Sequence, residues 1–210
     1  MASEQVSEKE KILYFTHAKF ITEGFYKTTM DEIARDLQIS KKTIYKHFPS
    51  KEDLLQSVCD MRLDTMNEKI DEIVESDDDS IAKFLKMINF NKSMMMNCSP
   101  MWFRDLQVHA PHCLSRFNEV KEKKLMNVLS RLFEQGKKER VLQNVPTQIL
   151  IAAMIGAIDA VTRGDFILNS KYSFHDAIRI TAEIFFNGIL TENGKDKYAN
   201  TKKLFENVLQ

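Results

Sequence analysis

Apolar residues recur every three or four positions along most of this chain, a period that predicts amphipathic helices. A hydroxyl residue followed three positions later by a carboxylate predicts a helix start at Ser7, Thr29 and Ser50. Gly24 and Pro49 predict two helix ends, because glycine favours the left-handed position after a helix and proline cannot continue one. The predicted helices are, in order, residues 8–23, 30–37, 41–48, 51–74, 81–97, 101–110, 111–139, 148–168, 174–190 and 196–210.

The order of these segments predicts an all-α protein of two domains. The sequence has no pair of alternating apolar segments joined by a turn signal, and therefore no predicted strands. The polar run E-S-D-D-D-S at residues 75–80 interrupts the helical period and predicts both a loop and a domain boundary. We expect a three-helix N-terminal domain over residues 7–67 and a larger helical domain over residues 75–210.

The second and third predicted helices have the form of a helix-turn-helix with a basic second helix. They are joined by a tight turn at residues 37–40, and Ala34 is small enough to let them pack closely. Between Gln38 and Lys51 the chain has four lysines and no carboxylate. A basic second helix of this kind is suited to enter the major groove of DNA. The whole chain, with 30 basic and 30 acidic residues, has no net charge, so only this local charge indicates nucleic acid.

Composition places the chain among ordinary globular proteins, with 43% hydrophobic and 29% charged residues. Cys59, Cys98 and Cys113 are an odd number without a disulfide framework spacing, which favours reduced thiols. The N-terminus has no apolar signal region, and no apolar run is long enough to span a bilayer. We expect a cytoplasmic protein without a membrane segment.

A dense motif covers about the first quarter of the chain. It reads F-x-x-x-G-(F/Y)-x-x-T-(T/S)-(M/V)-x-x-I-A, a turn, and then S-x-x-T-(I/L)-Y-x-(H/Y)-F-x-(S/N)-K-E-x-L. The motif resembles the N-terminal domain of TetR-type (tetracycline-repressor-like) transcriptional regulators. One departure is Gln38-Ile39, where the family often has Gly-Val. The matching residues are Phe20, Gly24, Phe25, Thr28, Thr29, Met30, Ile33, Ala34, Ser40, Thr43, Ile44, Tyr45, His47, Phe48, Ser50, Lys51, Glu52 and Leu54.

The resemblance implies that residues 41–48 form the recognition helix. Lysine and threonine side chains on its exposed side would reach base edges or phosphates, and Tyr45, His47 and Lys51 would bond phosphates. Thr29, at a helix N-terminus, would favour a phosphate too. The alternative is that Tyr45 and His47 pack the small core and that the lysines form a solvated face. The expected DNA-binding residues are Thr29, Lys41, Lys42, Thr43, Tyr45, Lys46, His47 and Lys51.

Two strongly apolar helices, 148–168 and 174–190, are too apolar to lie exposed. In TetR-like proteins the last two long helices form a four-helix dimer interface, and a two-fold dimer matches a palindromic operator. Asp159 and Arg163 share a helix face, where they would pair with each other, pair across the dimer or contact the polar end of a ligand. We place them first at the interface. The expected interface residues are Ile155, Asp159, Arg163, Ile180, Ile184 and Phe185.

The middle helices are rich in methionine and aromatic residues, which form adaptable walls for an apolar ligand. The plainer interpretation of each such residue is core packing. Asp105 and His109 are four residues apart and could face the same pocket. The expected pocket residues are Met87, Phe90, Met94, Trp102, Phe103, Leu106, His109, Phe117, Met126 and Met154.

Metal and enzyme chemistry find little support in the sequence. His109, His112 and Cys113, with Cys98 upstream, suggest a metal site, but Pro111 breaks the helical spacing and no second compact ligand pair follows. Phosphate-binding glycine loops and hydrolase motifs are missing, and nothing orients a cysteine–histidine nucleophile. We expect no metal, no cofactor and no enzyme activity.

Together with the resemblance to TetR-type regulators, these patterns predict a regulator that binds a double-stranded palindromic operator as a homodimer. A repressor released by a small apolar inducer is the usual form in the resembling family, although the sequence leaves repression and activation open. The inducer would act by shifting helix 51–74, which runs from the DNA-reading motif to the acidic run. The alternative function is a small-molecule-binding or protein-interaction module that keeps the helix-turn-helix only as structure.

Overall fold

The computed structural model describes residues 6–162, residue 166 and residues 169–208. Over these residues the chain is helical, and an isolated antiparallel bridge joins Leu142 to Leu190. The all-α prediction is therefore confirmed. The helices are α1 (Glu8–Glu23), α2 (Met30–Asp36), α3 (Lys41–His47), α4 (Lys51–Glu75), α5 (Ser80–Met96), α6 (Pro100–His109), α7 (Pro111–Lys138), α8 (Thr147–Thr162), α9 (Phe174–Ile189) and α10 (Glu192–Val208).

The N-terminal helices begin where their capping residues predict. At α1 the Ser7 amide donates to the Glu10 carboxylate at 2.8 Å, and the Glu10 amide donates back to the Ser7 hydroxyl at 3.2 Å. Thr29 caps α2 in the same reciprocal way, and the Asp53 amide donates to the Ser50 hydroxyl at 3.0 Å where α4 starts. Each cap satisfies amide groups that have no partner within the helix.

The last helix begins four residues earlier than predicted. The Gly194 amide donates to the Thr191 hydroxyl at 3.1 Å, which caps the helix at that point. Gly194 lies in the first turn of α10, at a point where the backbone passes close to another segment. A Cβ on Gly194 would lie 2.1 Å from the Val141 carbonyl oxygen. Residues 163–165 and 167–168 of the predicted helix 148–168 lie outside the described residues.

The chain divides into two compact units, each built from separate stretches of sequence. The first unit takes residues up to 69 together with 93–122, and the second takes residues 70–92 and 123 onward. The predicted loop between α4 and α5 is present, but it lies within the second unit and not at a boundary. Ser80 anchors it by donating its amide and hydroxyl to the Glu139 carboxylate, and Asp79 pairs with Lys197 at 3.2 Å.

Each unit has its own apolar core. In the first, side chains of α1–α4 such as Phe20, Ile33 and Leu54 are fully buried, and Trp102 of α6 joins them with its ring edge-to-face on Phe25 at 5.8 Å. In the second, the Phe84 ring lies 5.4 Å from Phe133 and 4.9 Å from Phe186. No helix in the described ranges is both long enough and apolar enough to cross a membrane.

Candidate nucleic-acid interface

The α2–turn–α3 segment is held from within by small and branched apolar residues. Ile33, Ala34 and Ile44 are buried between the helices, and the Ile39 amide donates to the Ala34 carbonyl at 3.0 Å across the turn. Gln38 has a φ of +56°, a left-handed conformation that favours glycine. Glutamine therefore occupies a position where the family's usual glycine would be unstrained.

The outer face of α3 presents Lys42, Tyr45 and Lys46 to solvent, and the Tyr45 side chain is 41% exposed. Neither Lys42 nor Lys46 forms a salt bridge with any residue that the structure describes. Ile44, on the opposite side of the helix, is fully buried. The helix therefore offers two exposed cations and a phenol on one side while the other side anchors it.

Lys41, at the start of α3, is partly neutralised within the chain. Its Nζ lies 2.8 Å from Asp31 Oδ2, and this hydrogen bond raises the pKa of Lys41. The same Nζ lies 5.9 Å from the centre of the Tyr45 ring, within reach of a cation–π attraction. Thr43 is half-buried, and its Oγ1 lies 2.8 Å from the Ser40 hydroxyl that caps the helix.

The expected phosphate-binding residues also have partners within the chain. His47 Nε2 lies 2.8 Å from Glu8 Oε2, and Lys51 Nζ donates to the Tyr26 carbonyl at 2.8 Å. Burial lowers the pKa of Lys51. Thr29 donates both its amide and its hydroxyl to the Glu32 carboxylate, at 2.7 and 3.2 Å. The capping box thus occupies donors that the sequence assigned to a phosphate.

A carboxylate that the sequence analysis placed near a pocket instead holds the α1–α2 loop. Asp105 of α6 is 4% exposed, and its Oδ2 accepts the Phe25 amide at 2.8 Å and the Tyr26 amide at 2.7 Å. Gly24 makes room for it, because a Cβ there would lie 2.7 Å from the same oxygen and the residue has a φ of +82°. With Lys51 on the Tyr26 carbonyl, two charged side chains fix the loop that leads into α2.

His109 also turns towards this loop. Its ring stacks on the Tyr26 ring with centroids 3.5 Å apart and an interplanar angle of 7°. One turn of helix separates His109 from Asp105, so the same face of α6 carries both contacts. The shared face was predicted from the spacing, but its partner is the α1–α2 loop.

The expected pocket residues are divided between the two units. Trp102 and Leu106 are buried in the core of the first unit, where Phe103 and His109 are exposed and Met94 and Phe117 are half-buried. In the second unit Met87 is buried, Phe90 and Met154 are half-buried and Met126 is exposed. A surface pocket of about 370 Å³ in the second unit is lined by polar and charged residues instead: Ser130, Arg131, Glu134, Gln135 and Lys138.

Five of the six expected interface residues lie on α8 and α9, which pack together in the second unit. Ile184 is 69% exposed, an unusual degree for a large apolar side chain. Asp159 is exposed as well, whereas Ile155, Ile180 and Phe185 are half-buried. Arg163 lies outside the described residues, so the structure does not address its pairing with Asp159.

The residues considered for a metal site are only partly brought together. His112 Nε2 lies 3.3 Å from Cys113 Sγ, but Cys98 accepts a hydrogen bond from Arg62 at 2.7 Å and His109 stacks on Tyr26. No cluster of three or more histidine, cysteine, aspartate or glutamate side chains in the described part of the chain could hold a metal ion.

Comparison with known proteins agrees with this geometry. Residues 12–58 match the family model described as bacterial regulatory proteins, tetR family. The HTH-type transcriptional regulator YvaF of Bacillus subtilis (strain 168) is 20% identical over 180 residues, which cover 85% of this chain and 94% of YvaF.

Solved structures share the fold over most of the chain. A transcriptional regulator from Cytophaga hutchinsonii aligns with a TM-score of 0.65 and 22% identity, covering 87% of this chain and 98% of that one. A regulator from Saccharomonospora viridis, solved in complex with choline, aligns with a TM-score of 0.65 and 16% identity. The alignment covers 90% of this chain and 100% of that one. With the matched helix-turn-helix, these likenesses identify the chain as a DNA-binding transcriptional regulator whose N-terminal domain is of the tetR family.

Proposed function

We propose that this regulator is a homodimeric repressor that reads a palindromic operator with α3 and leaves it when an apolar ligand binds. The observation that carries the proposal is the outer face of α3, where Lys42, Tyr45 and Lys46 are exposed while Ile44 anchors the helix. A helix held in this way can enter a major groove without rearranging its own core.

The exposed and the internally paired side chains would play different parts on DNA. Lys42 and Lys46 can bind a guanine edge or a phosphate without first breaking an internal salt bridge, since no salt bridge in the described chain holds either of them. Lys41, His47, Lys51 and Thr29 would have to exchange an internal partner for a phosphate, which offsets part of the gain. We therefore expect Lys42 and Lys46 to contribute more to DNA affinity than the paired residues.

The second unit supports the dimer. Ile184 on α9 is 69% exposed, and Gly156 on α8 and Gly188 on α9 have open space where a Cβ would be. An apolar, small-residue surface of this kind suits the self-complementary contact of a two-fold dimer. Ile184→Glu should give a monomer in sedimentation velocity, whereas Val108→Glu, at a comparably exposed apolar residue of α6, should leave the dimer intact. A dimer that survives Ile184→Glu would contradict this interface.

An apolar ligand is proposed from the methionine and aromatic residues of the middle helices, and the Saccharomonospora viridis regulator, solved in complex with choline, shows that a protein of similar fold can hold a small molecule. A ligand changes operator affinity only to the extent that it prefers the released state, typically by about 1–3 kcal/mol. A compound that saturates the protein and leaves operator affinity unchanged would contradict this coupling.

The DNA-reading proposal can be tested by capture of fragmented host genome with the purified protein, followed by sequencing. We expect a palindromic site to be enriched over a Lys42→Ala, Tyr45→Ala double variant. Lys123→Ala, an exposed lysine of α7, is the matched control and should recover the same site as the unchanged protein. Equal recovery by all proteins would instead support an interaction module in which the helix-turn-helix is only structural.

A further inference from the structure

Two of the three cysteines lie together in the core of the first unit. Cys113, in the first turn of α7, is 3% exposed, and Cys59, on α4, is 6% exposed. Cys113 Sγ lies 3.5 Å from Gln56 Oε1, and one turn further along α7 the Arg116 guanidinium lies 3.2 Å from Asp60 Oδ1. This register places Cys59, between Gln56 and Asp60, opposite Cys113.

Cys59 and Cys113 belong to the same buried cluster, and each thiol affects the pKa of the other. Two cysteines that face each other on neighbouring helices can form a disulfide when their side chains rotate to bring the sulfur atoms to about 2 Å. Cys98 is not part of this pair, because its sulfur accepts from Arg62 and donates to the Met94 carbonyl at 3.1 Å.

An exposed base adjoins the pair. His112 Nε2 lies 3.3 Å from Cys113 Sγ, and the His112 side chain is exposed to solvent. A neutral imidazole in this position can accept the Cys113 proton and pass it to water. Burial raises the pKa of both thiols, and Cys113 is the one that has the His112 imidazole beside it. Because a base adjoins Cys113, we assign Cys113 as the attacking thiol and Cys59 as the resolving thiol.

We propose that Cys59 and Cys113 are an oxidisable pair that forms a reversible disulfide between α4 and α7 when a peroxide reaches it. Cys113 gives its proton to His112 and attacks a peroxide oxygen, so that an S–O bond forms, the O–O bond breaks and, with hydrogen peroxide, one water leaves. Cys59 then attacks the Cys113 sulfur, the S–S bond forms, the S–O bond breaks and a second water leaves with the Cys59 proton. Two thiols lose two electrons in total, and one hydrogen peroxide is reduced to two waters.

The disulfide would join two helices of the unit that carries the DNA-reading motif. It closes the chain between residues 59 and 113, a segment in which most of α4 and all of α5 and α6 lie. Oxidation would therefore restrict how far α4 and α7 can separate. A dithiol would restore the starting state by exchange.

The test uses the full chain, hydrogen peroxide as the probe and peptide mapping by mass spectrometry without reduction. We expect the loss of two of the three thiols per chain, a peptide pair linked through Cys59 and Cys113, an unmodified Cys98, and full recovery with dithiothreitol. Cys98→Ser should give the same linked peptides. His112→Gln should slow their formation, and Cys113→Ser should abolish them.

Several results would overturn the proposal. They are chains cross-linked through Cys98, oxidation of single cysteines to sulfinic or sulfonic acid without a linked pair, or linked peptides that persist in Cys113→Ser. If circular dichroism shows that Cys113→Ser does not fold, the peptide map of the oxidised Cys98→Ser protein is the test, because that variant keeps both proposed partners. Absence of the linked Cys59–Cys113 peptides from that map would overturn the proposal.

Discussion

Asp105→Ala should be among the most destabilising single changes in the first unit. The Asp105 carboxylate is buried on α6 and accepts the amides of Phe25 and Tyr26 at 2.8 and 2.7 Å. Alanine leaves both amides without an acceptor in a region that water reaches poorly. The α1–α2 loop would then lose the contact that ties it to α6.

The magnitude follows from the two hydrogen bonds. A bond to a charged acceptor contributes about 1.5–3 kcal/mol, so that two contribute about 3–6 kcal/mol. Removal of the carboxylate also removes the cost of burying it, which brings the expected loss to the lower end, about 3 kcal/mol. For a chain of this size, that loss corresponds to a melting temperature lower by about 6–12 °C.

Urea unfolding followed by circular dichroism measures this loss. Asp105→Asn is the informative second variant, because its side-chain amide oxygen can still accept hydrogen bonds from both backbone amides without the charge. We expect its loss in free energy of unfolding to be roughly half that of Asp105→Ala. Asp64→Ala, at an exposed carboxylate of α4, is the matched control and should change stability by less than about 0.5 kcal/mol. If Asp105→Ala costs no more than Asp64→Ala, the two hydrogen bonds do not hold the loop and the reasoning fails.

Three further changes test other parts of the fold. Gly194→Ala should destabilise the second unit by about 2 kcal/mol in urea unfolding, because its Cβ would lie 2.1 Å from the Val141 carbonyl oxygen; an unchanged midpoint would contradict this. Gln38→Gly should stabilise the chain by about 0.5–1 kcal/mol by relieving the left-handed residue, and a loss of stability would show that the glutamine is unstrained. Burial and the Arg62 charge lower the pKa of His17 in the folded state, so its contribution to stability is present above about pH 6.5 and is lost as pH falls. His17→Gln should therefore flatten the fall in unfolding midpoint between pH 7.5 and pH 5.5, and identical slopes for both proteins would refute this.

Local signals made the N-terminal helices predictable. The capping pairs beginning at Ser7, Thr29 and Ser50 act within four residues, and the structure forms each of them as the sequence predicts. The basic outer face of α3 follows from the same short-range periodicity, with Ile44 inward and Lys42 outward.

Contacts between distant residues were not predictable in the same way. Asp105 lies 80 residues along the chain from Phe25, whose amide donates to it. Helical spacing predicts the face on which a residue lies, but it does not predict which other segment packs against that face. The Lys41–Asp31 ion pair and the His47–Glu8 hydrogen bond likewise depend on how the helices cross. The close approach of Gly194 to the Val141 carbonyl is another long-range contact that no local signal predicts.

The central proposal is sequence-specific DNA binding by α3. The decisive measurement is fluorescence anisotropy with the operator recovered from genomic capture and with a scrambled duplex, at increasing salt. We predict at least about 10³-fold tighter binding to the operator, affinity for both duplexes that falls with salt, and a selective loss for the operator in Lys42→Ala. Equal affinity for the two duplexes, or equal losses on both in Lys42→Ala, would contradict the reading of bases by this helix.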